Sequence, residues 1–171
     1  MNNIEIKNSL TSFHLPPYEE IPDVGLYLEQ VARYINGFLV DFPELQVTTS
    51  MISNYAKAKL FERVNKKTYT RDQIATLLFI TLSKSVMSID YVRTALTLCR
   101  DKKYDWHKAY SYYRHQLQEA LNDIFRPTSE KNTSGLSEDM IMLQNVCTAI
   151  AHKMYLERYF DALQQESKQK V

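Results

Sequence analysis

Residues 70–84 read T-R-D-Q-I-A-T-L-L-F-I-T-L-S-K, and this stretch decides the fold class. Thr70 and Gln73 have the spacing of a capping box, in which each side chain bonds the other residue's backbone N–H at a helix start. Apolar residues then occupy most sides of the predicted helix, which runs to about Lys84. Because a helix that is apolar all round has to be buried, the stretch predicts a core helix with other helices around it.

Two further helices are predicted on the N-terminal side of this core helix. Apolar residues recur with a period of 3.6 over residues 23–40, which predicts an amphipathic helix with Asp23 as its cap. Thr48 or Thr49 can cap a short helix through about Ala58. Residues 1–22 contain three prolines, which interrupt helices, so they are predicted to form an arm.

A small β element and three more helices are predicted on the C-terminal side of the short helix. Residues 60–69 alternate in character and favour a small two-stranded wing. Ser88 can cap the helix after the core helix, and Asp105 can open a long one. The last helix starts near Ser137, where Glu138 and Asp139 oppose the helix macrodipole.

The last helix carries two apolar rows, and two rows require two packing partners. We expect one row to pack on the chain's own helices and the other on a second copy; the alternative is that both are intrachain core. The first row comprises Met140, Leu143, Cys147, Ile150 and Met154. The second row comprises Met142, Val146, Ala149, Leu156, Phe160 and Leu163.

Composition excludes several classes of function. The 171 residues include only three glycines, so the clustered glycines of phosphate-binding loops are absent. The histidines lack the spacing of helical metal pairs, and Cys99 and Cys147 are expected to be buried thiols. No leader and no apolar run of about 18 residues occurs, so we expect a cytoplasmic protein without a membrane span. No catalytic constellation, metal site or cofactor is predicted.

Aromatic and basic residues are locally concentrated. Tyr104, Tyr110, Tyr112 and Tyr113, with Trp106, suggest either a ligand pocket or a core with wet phenol tips. Residues 57–71 hold six basic side chains and one acidic one, whereas residues 1–56 hold two basic and seven acidic. Such a local block is typical of a phosphate-binding surface, and equally of a solvated loop.

The segment from Val47 to Leu96 resembles the DNA-binding half of the mercury-resistance-regulator (MerR) family. It reads S-M-I-S-N-Y-A-K-A-K-L-F, then E-R-V-N-K-K-T-Y-T-R-D-Q-I, then A-T-L-L-F-I-T-L-S-K-S-V-M-S-I-D-Y-V-R-T-A-L. Tyr55, Leu60 and Tyr69 keep the family's spacing. The resemblance implies a short recognition helix, a basic wing and two following helices.

The chain also departs from that family. Ser53 and Asn54 stand where the family has an arginine and the first of two tyrosines. Lys59 takes the place of a common glycine, the wing is shorter, and the first helix, 23–40, is longer than the family's.

A closer resemblance covers about the first 100 residues. The patterns L-P-P-Y-E-E-I-P-D-V, Y-L-E-Q-V, M-I-S-N-Y-A-K and K-K-T-Y-T-R-D-Q-I-A resemble an uncharacterised family of Gram-positive bacteria, a domain of unknown function. That family implies little biochemistry beyond a predicted MerR-like segment. The fold class is therefore expected to be all-α, with a MerR-like winged-helix core over 23–98 and C-terminal helices for dimerisation or ligand sensing over 99–171.

These features favour a DNA-binding transcriptional regulator. The helix from Thr49 to Ala58 would enter the major groove, with Asn54 suited to adenine and Lys57 to guanine or phosphate. Basic groups of the wing would hold phosphates and set register. The predicted DNA-binding residues are Ser50, Ser53, Asn54, Lys57, Arg63, Lys66, Lys67 and Arg71. The expected partners are double-stranded DNA, a second copy of the chain, and a small-molecule effector.

A second hypothesis is a non-catalytic helical scaffold for protein interactions. The capped helices would then form a compact support, and the basic block would bind an acidic protein. This hypothesis predicts tight protein association without selection of a DNA sequence.

Overall fold

The computed structural model describes residues 3–62, 67–126 and 133–169 and is 70% helical. Its contacts divide the chain into two compact units. Unit 1 combines residues 1–14 with 115–171, and unit 2 is residues 15–114. The expected boundaries after residues 22 and 98 do not coincide with this division. The predicted all-α class is confirmed: seven α-helices and one two-stranded sheet form among the described residues.

Unit 2 contains four complete helices and the start of a fifth. Strand β1 (Leu26–Tyr27) leads directly into α2 (Leu28–Gly37), and α3 is Thr49–Lys57. Strand β2 (Thr68–Tyr69) leads into α4 (Arg71–Ser83), which is followed by α5 (Ile89–Asp101). The helix α6 (Trp106–Asp123) contributes its residues up to Arg114 to this unit. Short 3-10 turns form at Tyr18–Glu20 and Pro43–Leu45.

The core of unit 2 is α4, as its sequence predicts. Every residue from Gln73 to Ser83 except Phe79 is buried. The predicted capping box at its start is present: the Thr70 side chain accepts from the Gln73 N–H, and the Gln73 side chain accepts from the Thr70 N–H. Gln73 also donates its Nε2 to the carbonyl of Glu62 at 2.5 Å. This buried glutamine ties the stretch after α3 to the start of α4.

The amphipathic helix predicted over 23–40 is shorter than expected. Its N-cap is Tyr27 and not Asp23, and the Gln30 side chain accepts a hydrogen bond from the Tyr27 N–H at 2.9 Å. Residues 26–27 are in β1, which pairs antiparallel with β2. Gly25, with φ +76, makes the turn before β1, and a Cβ there would lie 3.1 Å from the Thr68 hydroxyl. Strand pairing with a distant segment therefore displaces the start of the helix.

The same pairing corrects the predicted wing. A two-stranded wing within residues 60–69 was expected, but β2, the strand described there, pairs with β1 from before α2. The register places Leu26 opposite Tyr69 and Tyr27 opposite Thr68. Residues 63–66 of the expected wing lie outside the described residues.

The expected arm, residues 1–22, is partly helical. Helix α1 (Asn3–Ser12) forms because its residues precede the three prolines, and it packs on α7 (Glu138–Gln169) within unit 1. The core of unit 1 takes residues from α1, from the second part of α6, and from α7. Its buried residues include Ile6, Leu10, Leu117, Leu121, Cys147, Ile150 and Met154.

The last part of the expected arm, residues 15–22, is held together with Asp23 by α4 and α6; we name this arrangement of residues 15–23 the N-terminal clasp. The Tyr18 hydroxyl donates to the Asp72 carboxylate, and the Arg71 Nε donates to the Ile21 carbonyl at 2.8 Å. The Tyr18 ring stacks on His107 with centroids 4.7 Å apart, and His107 Nε2 lies 2.6 Å from a Glu19 oxygen. Residues of the pattern L-P-P-Y-E-E-I-P-D-V are therefore hydrogen-bonded to residues of the pattern K-K-T-Y-T-R-D-Q-I-A in the fold.

Two groups from α6 complete the clasp. The buried Tyr110 hydroxyl donates to the Pro16 carbonyl at 2.9 Å, and the Arg114 Nε donates to the Leu15 carbonyl at 2.7 Å. Tyr110 and Tyr113, two members of the predicted aromatic cluster, are buried, and Tyr113 packs edge-on against Phe79. These two rings therefore belong to the core of unit 2, whereas Tyr104 is exposed.

Replacing Arg71 by alanine is expected to lower the free energy of unfolding of unit 2 by about 2 kcal/mol, since a part-buried charged hydrogen bond is lost. The single tryptophan, Trp106, lies in unit 2, so its fluorescence during urea unfolding reports on this unit. The control is Arg93→Ala, which removes an exposed i,i+3 ion pair with Asp90 and should change stability by less than about 0.5 kcal/mol. Equal losses in both variants would contradict a stabilising clasp.

Stability is also expected to fall in alkaline solution. Burial is the main cause that raises the pKa of Tyr18, Tyr34, Tyr55 and Tyr110 above 10.0. The folded state keeps these protons when the unfolded chain loses them, so their contribution is complete below pH 10 and is lost above it. Urea unfolding across this range should show the decline. Tyr110→Phe should make the decline shallower; an unchanged slope would contradict it.

Candidate nucleic-acid interface

The predicted recognition helix forms as α3, and its sequence explains both ends. Thr48 is its N-cap, with the side chain accepting from the Met51 N–H at 3.1 Å. At the other end, the Leu60 N–H bonds the Tyr55 carbonyl and the Lys59 N–H bonds the Ala56 carbonyl. This pair of bonds is a Schellman motif, whose residue after the C-cap adopts a left-handed conformation. Lys59 has that conformation, with φ 55.

A side-chain clamp connects α3 to α2. The Asn36 side chain donates to the Val47 carbonyl at 2.8 Å and accepts from the Val47 N–H at 2.9 Å. Both backbone groups of the residue before the N-cap of α3 are therefore fixed by one amide. The inner side of α3 is held by Ile52 and Tyr55, which are buried. These contacts position α3 on the body of unit 2.

The outer side of α3 is polar. Ser50, Asn54 and Lys57 are exposed, and Ser53 beside them is half-buried. The three exposed residues are four and then three positions apart, so they share one face of the helix. No acidic residue occurs in α3. The four predicted contacts of this helix are thus brought together on one surface.

The other four predicted site residues have different positions. Lys67 is exposed immediately before β2. Arg71 is half-buried and turns toward the clasp, where its guanidinium lies 3.9 Å from Asp23 and over the Tyr18 ring. Arg63 and Lys66 lie outside the described residues. The basic block is therefore divided between exposed lysines and an arginine that binds the chain's own backbone.

Two lysines near α3 were not among the predicted site residues. Lys59 is exposed, and its position just after α3 is the local signal that would have marked it. Lys84, at the C-terminal end of α4, has its Nζ 5.9 Å from the centroid of the Tyr55 ring. Burial lowers the pKa of Lys84. No local signal identifies Lys84, because its proximity to α3 depends on how α4 is placed.

The described residues contain no group of three or more histidine, cysteine, aspartate or glutamate side chains arranged to bind a metal ion. None of the helices in the described ranges has both the length and the apolar character that crossing a membrane requires.

The molecule is thus an all-α protein whose second unit presents a clamped, polar helix. Comparison with protein families gives one match: the family described as a domain of unknown function, DUF1836, covers residues 16–115. The chain belongs to this family, which confirms the expected membership in a family of unknown function. No curated protein and no solved structure matches the chain. The matched residues comprise the clasp from Pro16 onward, α2 to α5 and the first part of α6.

The backbone at Lys59 generates a prediction about stability. A left-handed conformation costs a residue with a Cβ about 1–2 kcal/mol, and glycine avoids this cost but loses more entropy on folding. Lys59→Gly should therefore raise the free energy of unfolding of unit 2 by about 0.5–1 kcal/mol, measured by urea unfolding. Lys103, with φ 53 in the same kind of turn after α5, is the matched control, and Lys103→Gly should give a similar gain.

A third variant tests the direction of this effect. Lys57→Gly places glycine inside α3 and should lower stability by about 0.5–1 kcal/mol. If Lys59→Gly destabilised unit 2 to the same degree as Lys57→Gly, the predicted cost of the left-handed conformation at Lys59 would be contradicted.

Proposed function

We propose that the protein is a DNA-binding transcriptional regulator that inserts α3 into the major groove. The observation that carries the proposal is the exposed face of α3, with Ser50, Asn54 and Lys57 in line on a helix whose opposite side is anchored in the core. Asparagine can bond adenine through two atoms, and lysine can bond guanine or phosphate. A helix fixed by the Asn36 clamp presents these groups with little loss of backbone freedom on binding.

Electrostatics support the same surface. Lys57 is the last residue of α3, and Lys59 and Lys67 follow it in sequence. All three are exposed, so they can contact phosphates and set the register on the duplex. Arg63 and Lys66 belong to this group as predictions from the sequence alone. Arg71 contributes less than the sequence suggested, because its Nε already bonds the Ile21 carbonyl.

The proposal also includes a fold type, a cellular location and a dimeric state. A winged-helix core of MerR type, a cytoplasmic location and the absence of enzymatic activity are expectations. A two-fold dimer would place two copies of α3 about 34 Å apart, one turn of DNA. The small-molecule effector stays a prediction, although Tyr110 and Tyr113 of the aromatic cluster lie in the core.

The test is selection from a random pool of duplex DNA, followed by binding measurements across a range of salt concentrations. Asn54→Ala should cost about 1–3 kcal/mol at one base pair and relax the sequence preference there. Lys57→Ala and Lys59→Ala should each weaken binding and lower the slope of log Kd against log salt by about one phosphate contact.

Matched controls are available on exposed positions elsewhere. Asn8→Ala on α1 and Lys108→Ala on α6 change the same residue types outside the proposed surface. Neither should alter the selected sequence or the salt dependence. A pool without enrichment and without salt-dependent retention would overturn the proposal.

The second candidate function is a protein-interaction scaffold. It is favoured by a different observation, the exposed apolar residues of α7 in unit 1. In that case the basic residues near α3 would bind an acidic protein, and charge reversal at Lys57 and Lys67 would abolish this protein binding. The wild type would enrich no sequence from the DNA pool.

A further inference from the structure

One side of α7 exposes large apolar residues along the second half of the helix. Leu156, Tyr159, Phe160 and Leu163 are 49%, 41%, 55% and 43% exposed. The opposite side of α7 is buried in the core of unit 1, through residues such as Ile150 and Met154. Of the two rows predicted from sequence, the first is therefore mostly intrachain core, and the C-terminal part of the second faces outward.

Six exposed residues of α7 follow a heptad spacing, and Phe160, which is also exposed, lies directly beside them. Asn145, Ala149, His152, Leu156, Tyr159 and Leu163 are all exposed and are spaced alternately by four and three residues. This spacing is that of the a and d positions of a coiled coil, which face a partner helix. We name these six residues the α7 seam. Three of its members, Leu156, Tyr159 and Leu163, are large apolar residues at consecutive positions of this spacing.

The charges beside the seam are internally balanced. Lys153 pairs with Glu157, and Arg158 lies 3.6 Å from Asp161, all on α7 itself. Each pair combines opposite charges, so these four residues add no net charge beside the seam that would attract a strongly acidic or basic partner. Two identical copies of such a surface do not repel each other, which favours self-association.

We infer that the α7 seam binds the α7 seam of a second copy in antiparallel orientation, centred near Met154. This register pairs a large side chain with a small or polar one in every layer: Tyr159 with Ala149, Leu156 with His152, and Leu163 with Asn145. A parallel pair would instead place Tyr159 against Tyr159 and leave Ala149 against Ala149. Alternation of large and small residues across facing positions is what close packing requires.

The area involved approaches what a specific dimer needs. The four large exposed side chains, three in the seam and Phe160 beside it, present about 350 Å² per copy, given that a large aromatic buries about 150–250 Å². With the seam's smaller residues and the stems of its neighbours, the two copies together approach the roughly 1,000 Å² of a specific interface. The interface is isologous, as a two-fold dimer requires.

The inference is tested by sedimentation equilibrium of the full chain over a range of concentrations. The wild type should be a dimer, and Leu156→Glu with Phe160→Glu should weaken the dimer at least 100-fold. Tyr91→Glu is the matched control, since Tyr91 is an aromatic residue of α5 that is 70% exposed. Tyr91→Glu should leave the association constant unchanged. A strictly monomeric wild type would overturn the inference.

Two further measurements test the seam itself. His152→Leu should tighten the dimer about tenfold, because it replaces a polar seam residue by an apolar one without altering the core of unit 1. Ala149→Cys combined with Tyr159→Cys should form an intermolecular disulfide under mild oxidation, whereas Ala149→Cys alone should not. A disulfide in the single variant at equal yield would indicate a parallel pair and overturn the antiparallel register.

The inference does not depend on DNA binding. A monomeric Leu156→Glu, Phe160→Glu variant that keeps salt-dependent retention on DNA would show that the two properties are separate. An Asn54→Ala variant that stays dimeric but no longer selects a DNA sequence would also show that dimerisation and DNA binding are separate.

Discussion

The first turn of α4 is the point on which the rest of unit 2 depends. Within residues 69–73, Tyr69 pairs with Leu26, and Gln73 binds the backbone of both Thr70 and Glu62. Arg71 and Asp72 hold the N-terminal clasp. The backbone amides at a helix start lack partners within the helix, so this turn has to find them elsewhere. Here its side chains do so, and they also bind the clasp and the backbone of Glu62, while the strand before the turn pairs with β1.

This arrangement gives the basic residues of the block different roles. In the sequence, the six basic residues over 57–71 are equivalent charges. In the structure, Arg71 donates hydrogen bonds to backbone carbonyls of the clasp, whereas Lys57, Lys59 and Lys67 are exposed. A guanidinium is suited to the first role, since its planar donors fit two carbonyls, whereas an exposed ammonium group can contact a phosphate as a point charge.

How much the sequence predicts depends on the range of the interaction. Caps at Thr48, Thr70, Ser88, Asp105 and Ser137 all form, because each requires only a side chain and an amide within three residues. The α3 face follows from the same local period. The start of α2, the β1–β2 pair and the role of Arg71 were missed, because each depends on contacts between segments about 40–50 residues apart, which no local pattern encodes.

The strained turn at Lys59 and the polar face of α3 are two separate features, and only one of them indicates a functional site. Backbone strain often accompanies function, but Lys103 has the same conformation in the same kind of turn after α5, away from the proposed surface in sequence. Positive φ at a lysine is therefore a feature of two helix ends in this unit and does not identify a site. What distinguishes Lys59 is its position directly after a helix whose outer side is polar and free of acids. The face of α3, and not the strain beside it, is the feature that carries the DNA-binding proposal.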